Sequence, residues 1–276
     1  MANFTAADIK ALREQTAAGM MDVKKALEEA DGDMAKAAEI LRIKGLKGVT
    51  KREGRSASNG LVAARAENGV GTLVEVNCET DFVAKGDRFI MLAEQVLAQA
   101  IATEATDAEA LVASTLPDGR TVSELLIEGN AATGEKIEVR RVARVTGERV
   151  VSYLHRTSKD LPPQIGVLLA TSGGDAEIAH DVAMHIAAFS PTALAREDVA
   201  KDVVANERRI AEATAREEGK PEAALPRIIE GRVNGFFKEN VLLEQAFAKD
   251  QKKSVAQVLK EAGAEATGFA RFRVGN

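Results

Sequence analysis

The sequence predicts an α+β protein with three parts: a three-helix amino-terminal module, a core of two related α+β subdomains with antiparallel sheets, and an antiparallel coiled-coil hairpin inserted in the second subdomain. Three observations predict it. Helical periodicity fills the first 45 residues, strand-like alternation begins past residue 60, and the later half repeats the order of the earlier one. In that repeat QIGVLLATSGGD resembles GTLVEVNCETD, and KSVAQVLKEAGAEATGFARFRV lines up with RTVSELLIEGNAATGEKIEVRRV. The expected boundaries are 1–45 for the module, 46–60 for a linker, 61–150 for the first subdomain, 151–195 with 239–276 for the second, and 196–238 for the hairpin.

In the module, Thr5 is placed to cap AADIKALREQT, whose Ile9 and Leu12 share a face. After the AAGM loop, Asp22 is expected to cap DVKKALEEA, with Ala26, Leu27 and Ala30 inward, and MAKAAEILRIK is expected to stop at Gly45. The stretch KGLKGVTKREGRSASNG is rich in glycine, serine and basic residues and predicts a solvated tether. LVAARAE and GTLVEVNCE predict a hairpin around ENGVG. Asp87 is expected to cap a helix whose Phe89, Leu92, Val96 and Ala100 follow helical spacing. GRTVSELLIE predicts a further helix, EKIEVRRVARVTGERVVSYLH alternating strands, and AEIAHDVAMHIAAFSP an amphipathic helix. In the hairpin, Val199, Val203, Ile210 and Ala213 are expected to stripe the first arm, and Leu225, Ile229, Val233 and Phe236 the second. GKPE makes the turn between them, and Pro226 is tolerated in a first helical turn.

Composition narrows the class. A chain of 276 residues exceeds one small core, and 45% apolar with 29% charged residues argues against disorder. A net charge of −5 makes nucleic acid an unexpected direct partner, because phosphate binding rests on concentrated Lys and Arg. The one cysteine, Cys78, forms no internal disulfide, which fits a reducing compartment. The start lacks the pattern of a secretory signal, and no apolar run reaches membrane-spanning length. A cytoplasmic location without a membrane partner is expected.

Residues able to do chemistry are few. The only Gly-Lys pair, at 219 and 220, is followed by Pro221, so no phosphate-binding loop is present. His180 and His185 are five apart, not four, so they do not share the helical face a zincin motif requires; the first is expected toward solvent and the second toward the core. Cys78 shares the apolar face of its strand with Val74 and Val76, which favours a core residue over a nucleophile served by His155. Asp81 alone predicts a cap or turn, and Phe82 predicts packing or a hydrophobic staple. No catalytic residue, cofactor or metal site is expected.

Two stretches are highly specific. REQTAAGMMDVKKALEEADGDMAKAAEILR and VEVNCETDFVAK resemble the two signatures of bacterial translation elongation factor Ts, the second centred on Thr-Asp-Phe-Val. VAMHIAAFSP and EATGFARFRVG resemble further segments, so the likeness covers essentially the whole chain in the family's order. The resemblance implies a guanine-nucleotide exchange factor that binds GDP-bound and nucleotide-free elongation factor Tu, with a UBA-like amino-terminal module and no covalent chemistry of its own. It implies that Asp81 and Phe82, flanked by Thr80 and Val83, approach the GTPase near its Mg²⁺ site, the phenyl ring wedged between helices. Met20, Met21 and Lys24 resemble the amino-terminal contacts, His155 a contact that displaces the phosphate-binding loop, and Val241 a further contact. Longer relatives carry a helical tail beyond the region matching GFARFRVG, so that contact is not expected here. Two rival readings remain at this stage: a scaffold or chaperone-like binder without exchange activity, and a Cys-His hydrolase. Self-association through the hairpin is a further expectation.

Overall fold

The computed structural model describes residues 3–16, 18–52 and 54–275, with 45–52 described by backbone alone. Helices α1 (Ala6–Thr16), α2 (Met20–Glu29) and α3 (Met34–Arg52) enclose a small core of Leu12, Val23, Ala26, Leu27, Ala30, Ala37 and Leu41. Thr5 opens α1 in a reciprocal cap, its Oγ1 accepting from Asp8 N (3.3 Å) while Asp8 Oδ2 accepts from Thr5 N (2.7 Å). Gly19, rather than Asp22, occupies the cap of α2. Asp22 lies in the first turn, where its carboxylate meets the positive end of the helix dipole.

Helix α3 does not stop at Gly45. An interior glycine costs a helix only about 1 kcal/mol relative to alanine, and no proline intervenes before Arg52. The irregular connection is therefore shorter than expected; Arg55 within it pairs with Glu79 (3.3 Å), and Lys44, which falls in α3, pairs with Glu29 (2.7 Å). The side chains of Lys47, Lys51 and Arg52 lie outside the described residues.

Strands β1 (Asn59–Glu67) and β2 (Val70–Cys78) form the expected hairpin, turning on Asn68 and Gly69, both with positive φ, as a two-residue Asn-Gly turn requires. Helices α4 (Asp81–Ala84), α5 (Asp87–Ala102), α6 (Ala108–Ala113) and α7 (Val122–Thr133) follow, and β3 (Glu138–Thr146) completes an antiparallel sheet of order β1-β2-β3. Phe89, Leu92, Val96 and Ala100 of α5 are buried as their spacing predicts. Gly86 rather than Asp87 is the cap.

The second half repeats this plan. β4 (Arg149–His155), β5 (Ile165–Gly173), α8 (Ala176–Phe189), α9 (Lys201–Glu217), α10 (Leu225–Asn240), the short pair β6 (Ala246–Phe247) and β7 (Asp250–Ser254), α11 (Val255–Glu261) and β8 (Ala264–Arg273) follow in order, and the sheet runs β4-β5-β8, again antiparallel. The architecture is α+β.

The two sheets meet at a seam of Val62, Leu73, Leu168 and Phe272. Two glycines permit the approach. A Cβ on Gly71 would lie 2.9 Å from Leu168 Cδ2, and one on Gly166 would lie 2.6 Å from Leu73 Cδ1. Arg141 of β3 crosses the seam, donating to the buried Glu75 carboxylate (Nε to Oε2, 2.7 Å) and to the carbonyl of Arg273 (3.0 Å), with its guanidinium 4.5 Å from the Phe272 ring centroid.

Helices α9 and α10 pack through Ala211, Ala215, Leu225, Ile229, Val233 and Phe237. The expected first-arm stripe is displaced. Val199 packs inward as expected, but Val203, Ile210 and Ala213 are exposed while Val204, Ala211 and Ala215 face inward, a shift of one residue at the first two positions and two at the third. Alanines at the contact let α10 come close and leave the interior volume to its larger side chains, with Phe237 buried at the fourth position and Phe236 only partly so.

His185 of α8 is fully buried and makes two hydrogen bonds. Its Nδ1 accepts from Ala248 N (3.1 Å), so Nε2 carries the proton and donates to Gln245 Oε1 (2.9 Å). Gln245 Nε2 donates in turn to the carbonyls of Glu239 (2.7 Å) and Phe189 (3.3 Å), joining α8 to the end of α10. Desolvation holds the imidazole below its ordinary value of 6.5, only partly offset by the bond to Gln245. A depressed histidine pKa means that the unfolded chain binds the extra proton, so its contribution is fully present above about pH 6.5 and is lost as pH falls below that value. The urea midpoint of the protein is expected to drop between pH 7.5 and pH 5.5, and a His185→Gln chain is expected to lose part of that slope. Equal slopes for the two chains count against this assignment.

Candidate functional site

The end of β2 leads to Phe82, the most exposed large apolar side chain among the described residues. Cys78 closes the strand wholly buried, and its thiol lies 3.2 Å from the Thr80 carbonyl. Thr80 is extended (φ −124, ψ 157) and caps α4, its Oγ1 accepting from Val83 N (3.4 Å). The next two residues, Asp81 and Phe82, begin the helix. Ala84 and, in part, Val83 turn back into the core, which leaves Phe82 outward at 75% exposure. Lys85 stands over the ring, with Nζ 4.5 Å from its centroid and 3.3 Å from Asp81 Oδ2.

Residues 79 and 80 are held from the opposite loop, just past α7. Glu135 Oε2 accepts from Glu79 N (3.1 Å) and Thr80 N (3.0 Å), and its Oε1 accepts from Thr80 Oγ1 (2.6 Å). Glu79 returns the arrangement, with Oε1 accepting from Lys136 N (2.7 Å). Asn59 Nδ2 donates to the Glu79 carbonyl (2.8 Å) and fixes the same turn to β1. Sequence reasoning missed Glu135 and Lys85. Lys85 could have been found from its four-residue spacing to Asp81, but nothing in the linear pattern pairs Glu135 with a residue 55 positions away.

His155 lies at the same end of the joined sheets. Gln164 donates from its amide to the His155 carbonyl (2.9 Å) and from Nε2 to the Gly60 carbonyl (2.8 Å), beside the strand end that carries the Phe82 turn. The His155 ring is exposed, with Nδ1 3.2 Å from the Tyr153 hydroxyl, and Tyr153 meets His180 edge-on at 5.5 Å. Met20 and Met21, 57% and 62% exposed, begin α2 on the amino-terminal module, with Lys24 one turn on, 3.9 Å from Glu28. Val241 is placed differently from expectation. It is fully buried at the base of the α9–α10 pair, where it bridges to Ala193, so its side chain faces its own fold rather than a partner.

The thiol is not poised for attack. Burial, reinforced by the charge of Glu135, pushes Cys78 up to about 12 from an ordinary 9.0, which leaves about 1000-fold less thiolate at pH 8. Iodoacetamide is expected to label the folded chain at least 100-fold more slowly than the urea-unfolded chain. Comparable rates would contradict this burial. Among the described residues, no group of three or more His, Cys, Asp or Glu could hold a metal ion, and no helix is long and apolar enough to cross a membrane.

The fold and this turn define an α+β protein that presents an exposed phenyl ring on a braced connection beside paired antiparallel sheets. A family model described as elongation factor TS matches residues 79–276. The chain is 67% identical over 278 residues to elongation factor Ts of Renibacterium salmoninarum, 64% over 279 to that of Pseudarthrobacter chlorophenolicus and 63% over 279 to that of Micrococcus luteus, with 100% of this chain and of each relative covered. The chain belongs to the elongation factor Ts family and thus to the factors of translation elongation.

Proposed function

We propose that the chain is a guanine-nucleotide exchange factor for elongation factor Tu, acting by binding rather than by covalent chemistry. The observation that carries this reading is Phe82, a large apolar side chain 75% exposed on a turn braced by Glu135 and Asn59. Exposed apolar area on a rigid support costs little ordering entropy when a partner buries it. Asp81 beside it brings a carboxylate to a site where the GTPase holds Mg²⁺ and phosphate, and His155 stands at the same end of the sheets to approach the phosphate loop. Met20, Met21 and Lys24 would supply a second contact from a UBA-like module, and the α9–α10 pair would form a coiled-coil projection. Residues 61–150 would act as one subdomain, and 151–195 with 239–276 as the other.

Exchange follows from linkage. A factor that binds the nucleotide-free GTPase more tightly than the GDP-bound form weakens GDP by the same ratio, and each tenfold acceleration of release requires about 1.4 kcal/mol off the dissociation barrier. The test is stopped-flow release of fluorescent GDP from elongation factor Tu with and without the chain. Concentration-dependent acceleration is expected. Binding without acceleration would instead make the chain a simple scaffold.

A further inference from the structure

We infer that Glu135 is a positioning residue for nucleotide release, holding the turn that presents Phe82; this rests on the exchange reading above. The four residues of α4 form a single turn, which is too short to hold its own shape in water. The direction of Phe82 is therefore set by the packing of Ala84 after it and by whatever fixes the residues before it. Three bonds from one carboxylate do so, two from the backbone amides of Glu79 and Thr80 and one from the Thr80 hydroxyl. That last bond also orients Thr80 Oγ1 to accept from Val83 N, so the cap of α4 depends on the same carboxylate.

The brace is reciprocal. Glu79 accepts from the amide of Lys136, next to Glu135, so each loop holds the other's backbone. Carboxylate–amide bonds are among the stronger hydrogen bonds, and here they replace solvent for amides that no helix or strand partner satisfies. Arg55, 3.3 Å from Glu79, offsets the charge that two neighbouring carboxylates bring together. Glu135 touches neither Asp81 nor Phe82 through any of these bonds and acts through Thr80.

The experiment compares stimulated GDP release for Glu135→Ala and Glu135→Gln, each alone and in a Phe82→Ala background. The alanine variant is expected to slow stimulated release about tenfold. Glutamine, whose carbonyl still accepts from both amides and whose amide can donate to Thr80 Oγ1, is expected to stay within about threefold of the unaltered chain. Neither is expected to slow the Phe82→Ala chain further, because residues acting as one unit are non-additive. Amide exchange at Glu79 and Thr80 is expected to rise at least tenfold in Glu135→Ala while Val74 and Val76 in β2 stay protected. If the alanine variant does not fold, Thr80→Val removes the 2.6 Å bond with little change of shape and carries the same expectations for stimulated release, while the amides of Glu79 and Thr80, still bonded to Glu135, are expected to keep their protection. Release by Glu135→Ala equal to that of the unaltered chain overturns the inference alone. So does an equal tenfold loss in the Phe82→Ala background, since the effect would then pass through the fold at large. An unaltered chain that accelerates nothing overturns the exchange reading together with it.

Discussion

Replacing Phe82 with alanine is expected to slow stimulated GDP release at least tenfold while leaving the melting temperature within about 1 °C. The side chain is 75% exposed and meets its own protein mainly through Lys85, so the fold loses little when it is removed. A buried phenyl ring contributes about 1.5–3 kcal/mol by transfer from water, which converts to roughly 10- to 150-fold at 1.4 kcal/mol per decade. Aromatic anchors at interface centres reach and exceed that value. Phe82→Leu keeps much of the area and should fall between the two. Release by the alanine variant at the unaltered rate, with the complex still formed, would remove Phe82 from the mechanism.

Arg141→Met is expected to destabilise the chain by about 3–5 kcal/mol, read from urea unfolding, because it strands a charge. Glu75 is 0% exposed, and apart from Arg141 its carboxylate has the Gly275 amide at 3.3 Å. Arg141 also ties β3 to the Arg273 carbonyl of β8, so the seam between the sheets loses a cross-link with the charge partner. Pairing the change with Glu75→Leu is expected to recover most of the loss, since an apolar pair of similar volume avoids desolvating a carboxylate. A double variant no more stable than Arg141→Met alone would show that packing of the arginine stem, not the buried charge, dominates.

The parts of this fold legible in the sequence are those decided locally. Asn68-Gly69 encodes its turn through positive φ, the spacing of Phe89, Leu92, Val96 and Ala100 gives the buried face of α5, and the apolar side of β2 placed Cys78 in the core. Some misreadings are local, the caps placed one to three residues late at Asp22 and Asp87 and the stop placed at Gly45, and the others are decided by a partner element. The inward face of α9 is chosen by the bulk of Leu225, Ile229, Val233 and Phe237 on α10, which favours Ala211 and Ala215 over the larger Ile210. Val241, expected from the resemblance as a partner contact, is buried because the base of that helical pair closes over it. At the candidate site the tetrad 80–83 was legible, but periodicity treated Phe82 as packing. Its exposure follows from the burial of Ala84 on the same short turn, and the Glu135 brace on Thr80 joins residues distant in the chain and leaves no periodic trace.

The seam between the sheets has a consequence of its own. Gly71 and Leu73 stand in the first half where Gly166 and Leu168 stand in the second, within VGTL and IGVL. Each half's leucine fills the space left open by the other half's glycine. That exchange has the form of an isologous dimer contact, the same patch meeting itself across a two-fold axis, here closed within one polypeptide. Either half released from the other would expose an apolar face carrying both the leucine and the glycine of that exchange.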